Sequence, residues 1–186
     1  MIITAGKFKG RKIIAPDANI TRPTLSKVRM SIFNTLQALV DFRESSFLDM
    51  FAGSGIMGLE ALSRGFSHVS AIEKNYKVAN IIKSNLKNLS LTPQNCQSKK
   101  ENEELNFIIG DSLKIAPKLE KFDVIYIDPP YFSGIYEQSL GAVKNIASNI
   151  IILEHVTDID FTGFELIKQK KYGDKIISFL SVKTNI

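Results

Sequence analysis

The chain of 186 residues has the length of one domain with a full hydrophobic core. It contains no continuous apolar run of 18 residues or more, and its N-terminus lacks the pattern of a signal peptide, so we expect a soluble, cytoplasmic protein. Cys96 is the single cysteine, which excludes an internal disulfide and a cysteine-based metal cluster. His68 and His155 are far apart and form no ligand pattern, so no metal is expected.

Positive charge is concentrated at the N-terminus. The chain has a formal net charge of +5, and its first thirty residues hold seven lysines and arginines against Asp17 alone. Four of the seven surround a glycine-flanked turn at 6–10, where a hairpin would present them together, as a phosphate backbone requires. A solvated basic face is the simpler alternative. The predicted RNA-binding residues are Lys7, Lys9, Arg11, Lys12, Arg22 and Arg29.

Downstream of this hairpin, helical and strand patterns alternate, which indicates a mostly parallel sheet covered by helices. Apolar spacing predicts a helix over 24–40, with Thr24 as a candidate N-cap. Strands are predicted at 46–51, 68–72, 105–109, 122–127 and 149–155, and helices at 56–64, 76–89, 112–119 and 136–148. The segments 161–168 and 175–182 are predicted to form a hairpin with one reversed strand. The polar stretch 92–104 lacks periodicity and is predicted to be a mobile loop.

A glycine-rich loop follows the strand at 46–51. Gly53, Gly55 and Gly58 have the spacing of a nucleotide-binding loop, since glycine lets the backbone turn tightly and approach a ligand. Glu73 comes twenty positions after Gly53, where a carboxylate can hold ribose hydroxyls. This motif alone fits a nicotinamide enzyme as well as a methyltransferase.

Two further acids refine the choice of cofactor. Asp49 lies in the strand before the glycine loop, where its carboxylate suits a cationic cofactor such as S-adenosylmethionine and would repel a pyrophosphate. Asp111 closes a later strand, where an adenine amino group can be bound. For each acid, including Glu73, a helix N-cap or a solvated loop acid is the simpler interpretation.

The sequence Asp128-Pro129-Pro130-Tyr131 ends an apolar strand and indicates methyl transfer to nitrogen. An exocyclic amine of a base is a poor nucleophile, because its lone pair is delocalised into the ring. A carboxylate and a fixed backbone carbonyl can each accept one N–H, so the lone pair localises, and the tyrosine supplies a stacking face. A strand that ends at a proline turn is the alternative.

Several short motifs follow one another in an order found in a known family. They are Thr21-Arg22-Pro23-Thr24, Val28-Arg29, Asp49-Met50-Phe51-Ala52-Gly53-Ser54-Gly55, Glu60-Ala61-Leu62-Ser63-Arg64-Gly65, Asp128-Pro129-Pro130-Tyr131 and Lys171-Tyr172-Gly173-Asp174. Over nearly its whole length the chain resembles the RsmD family of bacterial 16S rRNA guanine-N2 methyltransferases. The Arg-Pro-Thr element is the specific part. The stretch 92–104 is longer than the family pattern leads us to expect.

The resemblance implies a class I S-adenosylmethionine-dependent methyltransferase with a Rossmann-like, mostly parallel seven-stranded sheet. Residues 1–186 would form one domain, in which 1–42 is an RNA-contacting extension. The substrate would be the exocyclic N2 of a guanine in 16S rRNA, within an assembled or assembling small subunit. The implied cofactor-binding residues are Asp49, Phe51, Gly53, Ser54, Gly55, Gly58, Glu73, Asp111 and Ser112, and the implied catalytic residues are Asp128, Pro129, Pro130 and Tyr131.

Three other functions remain open at this point. A DNA amino-methyltransferase shares the Asp-Pro-Pro-Tyr motif, although little length is left for a segment that reads DNA sequence. A catalytically silent rRNA-binding protein would need only the basic hairpin, and the intact motif disfavours it. A nicotinamide oxidoreductase is the least favoured, because the acids and the Pro-Pro turn have no part in hydride transfer.

Overall fold

The computed structural model describes residues 1–16, 26–91, 105–130 and 134–183. The strands in these ranges are β1 (Ser46–Asp49), β2 (His68–Glu73), β3 (Leu105–Ile109), β4 (Phe122–Ile127), β5 (Ala147–His155), β6 (Phe164–Tyr172) and β7 (Lys175–Val182). The α-helices are α1 (Ser26–Leu36), α2 (Ile56–Ser63), α3 (Tyr76–Asn88), α4 (Ser112–Ile115) and α5 (Ile135–Val143). Short 3-10 turns occupy Phe42–Glu44 and Ala116–Lys118.

All seven strands belong to one sheet, with the order β3-β2-β1-β4-β5-β7-β6. The first five strands pair in parallel, whereas β7 runs antiparallel to both of its neighbours. The prediction of a mostly parallel seven-stranded sheet with one reversed strand is therefore confirmed. In this order β1 and β4 are central neighbours, so the glycine loop and the Asp-Pro-Pro segment leave the sheet side by side.

Hydrophobic cores lie on both faces of the sheet. Successive residues of a strand point to opposite faces, so Phe47 packs in one core and Leu48 in the other. The first core includes apolar residues of α1, α2 and α3, and the second includes those of α5. The helices thus cover the two faces and leave the carboxyl edge of the parallel strands for the loops.

Several element boundaries differ from the predicted ones. The helix predicted over 112–119 is α4 followed by a 3-10 turn, because Pro117 lies in that turn and cannot donate a helical hydrogen bond. The strand predicted at 161–168 is β6, which runs further, to Tyr172, with a register shift between Leu166 and Lys168. A register shift of this kind inserts an extra residue that a pattern of alternating residues does not anticipate.

The N-terminal residues form a hairpin that docks on α2. Ile2 and Lys12 make an antiparallel bridge, and the backbone N–H of Lys7 donates to the Ser63 carbonyl at 2.7 Å. Gly6 lies at this contact with φ +80, and a Cβ there would come within 1.8 Å of the Ser63 carbonyl oxygen. Only glycine allows the hairpin to approach the helix so closely.

Arg29 is a correction to the predicted RNA-binding set. Its side chain is fully buried and forms an ion pair with Glu60 of α2, with Nε 3.2 Å from Oε2. It also donates to the Ile2 carbonyl at 2.6 Å, while Glu60 accepts from the backbone N–H of Thr4 at 2.8 Å and from Arg64 at 2.8 Å. Arg29 therefore holds the hairpin against the domain and cannot reach an RNA phosphate.

Some predictions fall outside the described residues, namely those on Arg22, Thr24, Tyr131 and the stretch 92–104. In the ranges that the structure describes, no helix is long and apolar enough to cross a membrane. The same ranges contain no group of three or more His, Cys, Asp or Glu residues that could hold a metal ion. The cytoplasmic location stays a prediction.

Candidate active site

A cavity of about 490 Å³ lies at the carboxyl edge of the parallel strands. Loops that follow parallel strands meet at one edge of a sheet, which is where α/β proteins of this type bind ligands. The predicted site residues that line it are Asp49, Phe51, Gly53, Ser54, Glu73, Asp111, Ser112, Asp128, Pro129 and Pro130. Residues that are spread over eighty positions of sequence thus share one cavity.

Asp49 ends β1 at the floor of this cavity. Only 1% of its surface is exposed, and Oδ2 accepts the backbone N–H of Gly58 at 3.2 Å. Oδ1 is buried and has no hydrogen-bond partner among the described residues. Burial raises the pKa of Asp49 to about 7, and the nearby charge of Asp128 adds to this effect. An unpartnered buried carboxylate oxygen in a cavity is suited to a ligand that brings a positive charge.

The three glycines of the loop have different positions relative to the cavity. Gly53 lines the cavity with φ +54, and its N–H donates to Oε2 of Glu73 at 2.9 Å. Gly55 has φ +79 at the N-terminus of α2 and does not line the cavity. Gly58 is a correction to the predicted cofactor contacts, because it faces the sheet, where a Cβ would lie 2.9 Å from Leu105. It allows α2 to pack closely on β3.

Glu73 ends β2 and lies next to the glycine loop. Besides accepting from Gly53, its carboxylate accepts the backbone N–H of Asn75 at 2.7 Å. Burial raises the pKa of this carboxyl group. Each carboxylate oxygen keeps acceptor capacity for a ligand hydroxyl after these two bonds.

Asp111 and Ser112 follow β3 at the opposite wall. Asp111 caps α4 by accepting the backbone N–H of Leu113 at 3.1 Å, and it pairs with the exposed Lys74 at 3.1 Å. The hydrogen bond from Lys74 lowers the pKa of Asp111. Ser112 is buried, and its hydroxyl donates to the Met50 carbonyl. The sequence offered a helix N-cap as the simpler interpretation of Asp111, and the structure shows that cap. Asp111 also lines the cavity while it caps α4.

The segment after β4 lines the same cavity with Asp128, Pro129 and Pro130. Burial raises the pKa of Asp128 to about 6, against opposing effects of the Lys175 charge and a hydrogen bond from Tyr126. A carboxylate in this state is a hydrogen-bond acceptor at neutral pH. The Pro129 ring fixes φ and the following Pro130 restricts ψ of Pro129, so the two prolines together hold the direction of the Pro129 carbonyl.

The N-terminal segment contributes a wall that the sequence did not predict. Met1, Ala15 and Pro16 line the cavity next to the glycine loop. The Met1 ammonium group donates to the Ile13 carbonyl at 2.8 Å, which closes the base of the hairpin. No local pattern marks these three residues, because they reach the cavity only when the hairpin docks on α2.

The hairpin also carries an exposed basic surface. It consists of Lys7, Lys9, Arg11 and Lys12, all of which are exposed. Arg11 donates to the Asn88 carbonyl at the end of α3, and the Lys7 ammonium lies 5.6 Å from the ring centre of Phe8. The hairpin turn thus contacts the last residue of α2 and Arg11 contacts the last residue of α3, whereas the cavity is lined by first-turn residues of these helices.

The sheet order, the helices on both faces and the acid-lined cavity at the carboxyl edge define the class of protein. The chain has the class I methyltransferase fold, with the glycine loop after the first strand of the domain and Asp-Pro-Pro after the fourth.

Comparisons with known proteins identify the family. The family model described as "Conserved hypothetical protein 95" matches residues 1–181. A Haemophilus influenzae protein named ribosomal RNA small subunit methyltransferase D is 37% identical over 139 residues, which are 75% of this chain and 68% of that protein. The chain belongs to this family, the RsmD family, as its motifs predicted.

Solved structures agree on the fold. The Escherichia coli protein yhhF has a TM-score of 0.80 at 23% identity, over 98% of each chain. An RNA methyltransferase from Salinibacter ruber, in complex with S-adenosyl-L-homocysteine, has a TM-score of 0.65 at 13% identity, over 88% of this chain and 95% of that one. The predicted class I fold is thereby confirmed.

Proposed function

We propose that this protein transfers a methyl group from S-adenosylmethionine to the exocyclic N2 of a guanine in 16S rRNA. The observation that carries the proposal is that one cavity joins the unpartnered carboxylate oxygen of Asp49 to the Asp128-Pro129 acceptors. The first suits a cationic cofactor, and the second suits a planar amine. The name of the Haemophilus influenzae relative supports a small-subunit rRNA substrate.

The cavity residues fit S-adenosylmethionine by charge and by hydrogen bonding. Asp49 would hold the cationic amino acid part, and Glu73 would accept the ribose hydroxyls. Asp111 and Ser112 would bind the adenine. The relative crystallised with S-adenosyl-L-homocysteine supports this choice. A cavity lined by four acids would instead repel the pyrophosphate of a nicotinamide cofactor.

The residues around Asp128 would prepare the nitrogen for reaction. The Asp128 carboxylate and the Pro129 carbonyl each accept one N–H of the guanine amine, which draws the nitrogen toward tetrahedral geometry and localises its lone pair. Tyr131 would stack on the base. Bound S-adenosylmethionine would supply the methyl group from its cationic sulfur, on which the carbon–sulfur electron pair would remain when the nitrogen takes the methyl carbon. The released proton passes to Asp128 or to water.

The basic hairpin would bind the RNA backbone, because Lys7, Lys9, Arg11 and Lys12 are exposed on it. Arg22 remains an RNA-binding residue proposed from the sequence. A guanine inside paired RNA cannot reach the half-buried Asp128 carboxylate in the cavity, so the target would be unpaired or flipped out of its stack.

The proposal is tested by supplying labelled S-adenosylmethionine and small subunits purified from cells that lack this gene, followed by nucleoside analysis. Label in N2-methylguanosine is the expected result. Label in another nucleoside would overturn the assignment of the guanine amine. Equal transfer to duplex DNA in a competition assay would favour a DNA amino-methyltransferase, and cofactor binding without any transfer would favour an RNA-binding protein that lacks chemistry.

A further inference from the structure

A buried ion pair lies behind the Asp-Pro-Pro segment, away from the residues that would touch a ligand. Glu154 of β5 has 0% exposure, and its Oε1 accepts a hydrogen bond from the Lys175 ammonium. The strand register brings Lys175 next to Glu154. Ile177 of β7 lies opposite Glu154, and Lys175 is two positions from Ile177 on the same face of the strand. The reversed direction of β7 thus brings its first residue to the carboxyl edge of the sheet.

This ion pair reaches the cavity through Tyr126. The Tyr126 hydroxyl donates to Oε2 of Glu154 at 2.9 Å. Tyr126 is two positions before Asp128, on the same face at the end of β4, where a hydrogen bond from this hydroxyl to Asp128 lowers the pKa of that carboxyl group. Tyr126 is 1% exposed and lines the cavity. A phenol has one proton and can donate it to only one carboxylate at a time. Because the Lys175 ammonium also bonds to Glu154, the Tyr126 hydroxyl could turn from Glu154 to Asp128 without leaving Glu154 unpaired.

Stability gives little reason to keep such an arrangement. Removing two charges from water is unfavourable, and a hydrophobic pair of similar volume is often as stable as a buried ion pair. A buried ion pair that leads to a reactive carboxylate is more readily explained by its effect on that carboxylate.

We propose that Lys175, Glu154 and Tyr126 form a relay of positioning residues that orients the Asp128 carboxylate and keeps it ionised. The inference rests on the proposed methyl transfer, in which Asp128 must be an acceptor. The relay acts through Asp128, and Lys175 and Glu154 do not themselves contact the substrate.

The charges around Asp128 decide the direction of each effect. The titratable and charged groups of the described residues that face it are Asp49 of β1, Tyr126 of β4, Glu154 of β5, Lys175 of β7 and Tyr136 of α5. Asp49 disfavours the ionised form of Asp128, as burial also does. Lys175 lowers the pKa of Asp128 and so favours that form.

Substitutions of the two relay charges are expected to move the titration of Asp128 in opposite directions. Lys175→Met raises the midpoint by about one pH unit or more, the scale of losing a close opposite charge. Glu154→Gln lowers the midpoint, because the Lys175 charge is then no longer offset. Lys175→Arg keeps the charge and the wild-type midpoint. Lys183→Met makes the same change at the exposed end of β7 and leaves the midpoint unmoved.

Two measurements read this midpoint. One is the acidic limb of the pH profile of single-turnover methyl transfer. The other is the ¹³C shift of the Asp128 carboxyl carbon against pH, assigned with Asp128→Asn, which needs no substrate. If Lys175 and Glu154 had only a structural role, their substitution would lower activity at every pH. The midpoints of Lys175→Met and Glu154→Gln would then not shift in opposite directions.

The outcomes separate this inference from the proposed function. Unmoved ¹³C midpoints in Lys175→Met and Glu154→Gln would overturn the relay, even with the wild type active. A wild type that transfers no methyl group to RNA would overturn the function, while the ¹³C titration still decides on the relay. If Lys175→Met does not fold, Glu154→Gln carries the test, and a midpoint that stays or rises there contradicts the proposal.

Discussion

Two buried carboxylates, Glu60 within α2 and Asp49 bonded to the backbone of α2, differ in how completely they are paired. Glu60 accepts hydrogen bonds from Thr4, Arg29 and Arg64, so both of its oxygens are paired. Asp49 accepts from Gly58 and keeps one buried oxygen that has no partner within the described ranges. A buried charge with a complete set of partners holds a structure together, whereas one left incomplete beside a cavity is available to a ligand.

The pKa values of the two acids reflect this difference in pairing. Burial raises the pKa of Glu60, but hydrogen bonds from Thr4 and Arg64 outweigh it, so the pKa lies below its usual value. For Asp49 burial prevails and the pKa rises to about 7. We call Glu60, Arg29, Arg64 and Thr4 the hairpin clamp. The cost of burying a carboxylate is offset by hydrogen bonds in this clamp, whereas it is not offset for Asp49 at the cavity.

The largest effect is expected from breaking the clamp. Glu60→Ala leaves the guanidinium of Arg29 buried without its carboxylate, which should lower the free energy of unfolding by about 3–5 kcal/mol. Urea denaturation at neutral pH measures this loss. Glu165→Ala, on the exposed face of β6, is the control and should change stability by about 0.5 kcal/mol or less. Equal stability of Glu60→Ala and wild type would contradict the clamp.

The pH dependence of stability should have opposite signs at the two acids. The folded protein holds the Asp49 proton more tightly than the unfolded chain does. The stability contributed by protonated Asp49 is therefore fully present below pH 3.8 and is lost as the pH rises through about 7. The loss amounts to at most about 4 kcal/mol. Glu60 stabilises the protein above its unfolded pKa of 4.5 and loses this effect as the pH falls through its lower folded pKa.

Denaturation curves of wild type and Asp49→Asn between pH 4 and 8 test this sign. The asparagine variant cannot ionise, so its stability relative to wild type should increase up to about pH 7 and then level off. A constant difference between the two proteins across this range would show that Asp49 is ionised throughout.

Asp128→Ala removes one preorganised acceptor and should reduce turnover about a hundredfold or more. The affinity for S-adenosylmethionine should stay nearly unchanged, since this residue is assigned to the guanine. Single-turnover transfer and cofactor titration measure the two quantities separately. Near-normal turnover would exclude the role of holding the amine.

Asp49→Asn should weaken S-adenosylmethionine binding about tenfold or more, because a charge-assisted hydrogen bond becomes a neutral one. Isothermal titration calorimetry measures the affinity. Asp158→Asn changes an exposed acid in the same way and should leave it unaltered. Unchanged affinity in Asp49→Asn would remove Asp49 from the cofactor contacts.

The smallest effect is expected on the surface that the clamp supports. Lys9→Ala should weaken rRNA binding a few-fold and reduce the slope of log affinity against log salt by about 0.7–0.9. Lys118→Ala, an exposed lysine in the turn after α4, serves as the control. Identical slopes for Lys9→Ala and wild type would remove Lys9 from the RNA contacts.

The sequence by itself determined the sheet and most of the residues around the cavity. Alternating apolar patterns define strands and helices locally, and the carboxyl ends of parallel strands always meet at one edge. The acids at the carboxyl ends of β1, β2, β3 and β4 therefore had to come together, whatever the detailed packing. The family motifs likewise needed only the order of residues along the chain.

Only the tertiary structure decided which charged residues are exposed and which are buried. Arg29 reads as a surface cation in a basic segment, but it lies opposite Glu60, which is 31 positions away. Gly58 belongs to a binding motif by spacing, although the rotation of α2 turns it toward β3. The pairing of Lys175 with Glu154 depends on the register of β7. Such contacts arise between elements, where packing and strand register, and not local pattern, fix the partner of each side chain.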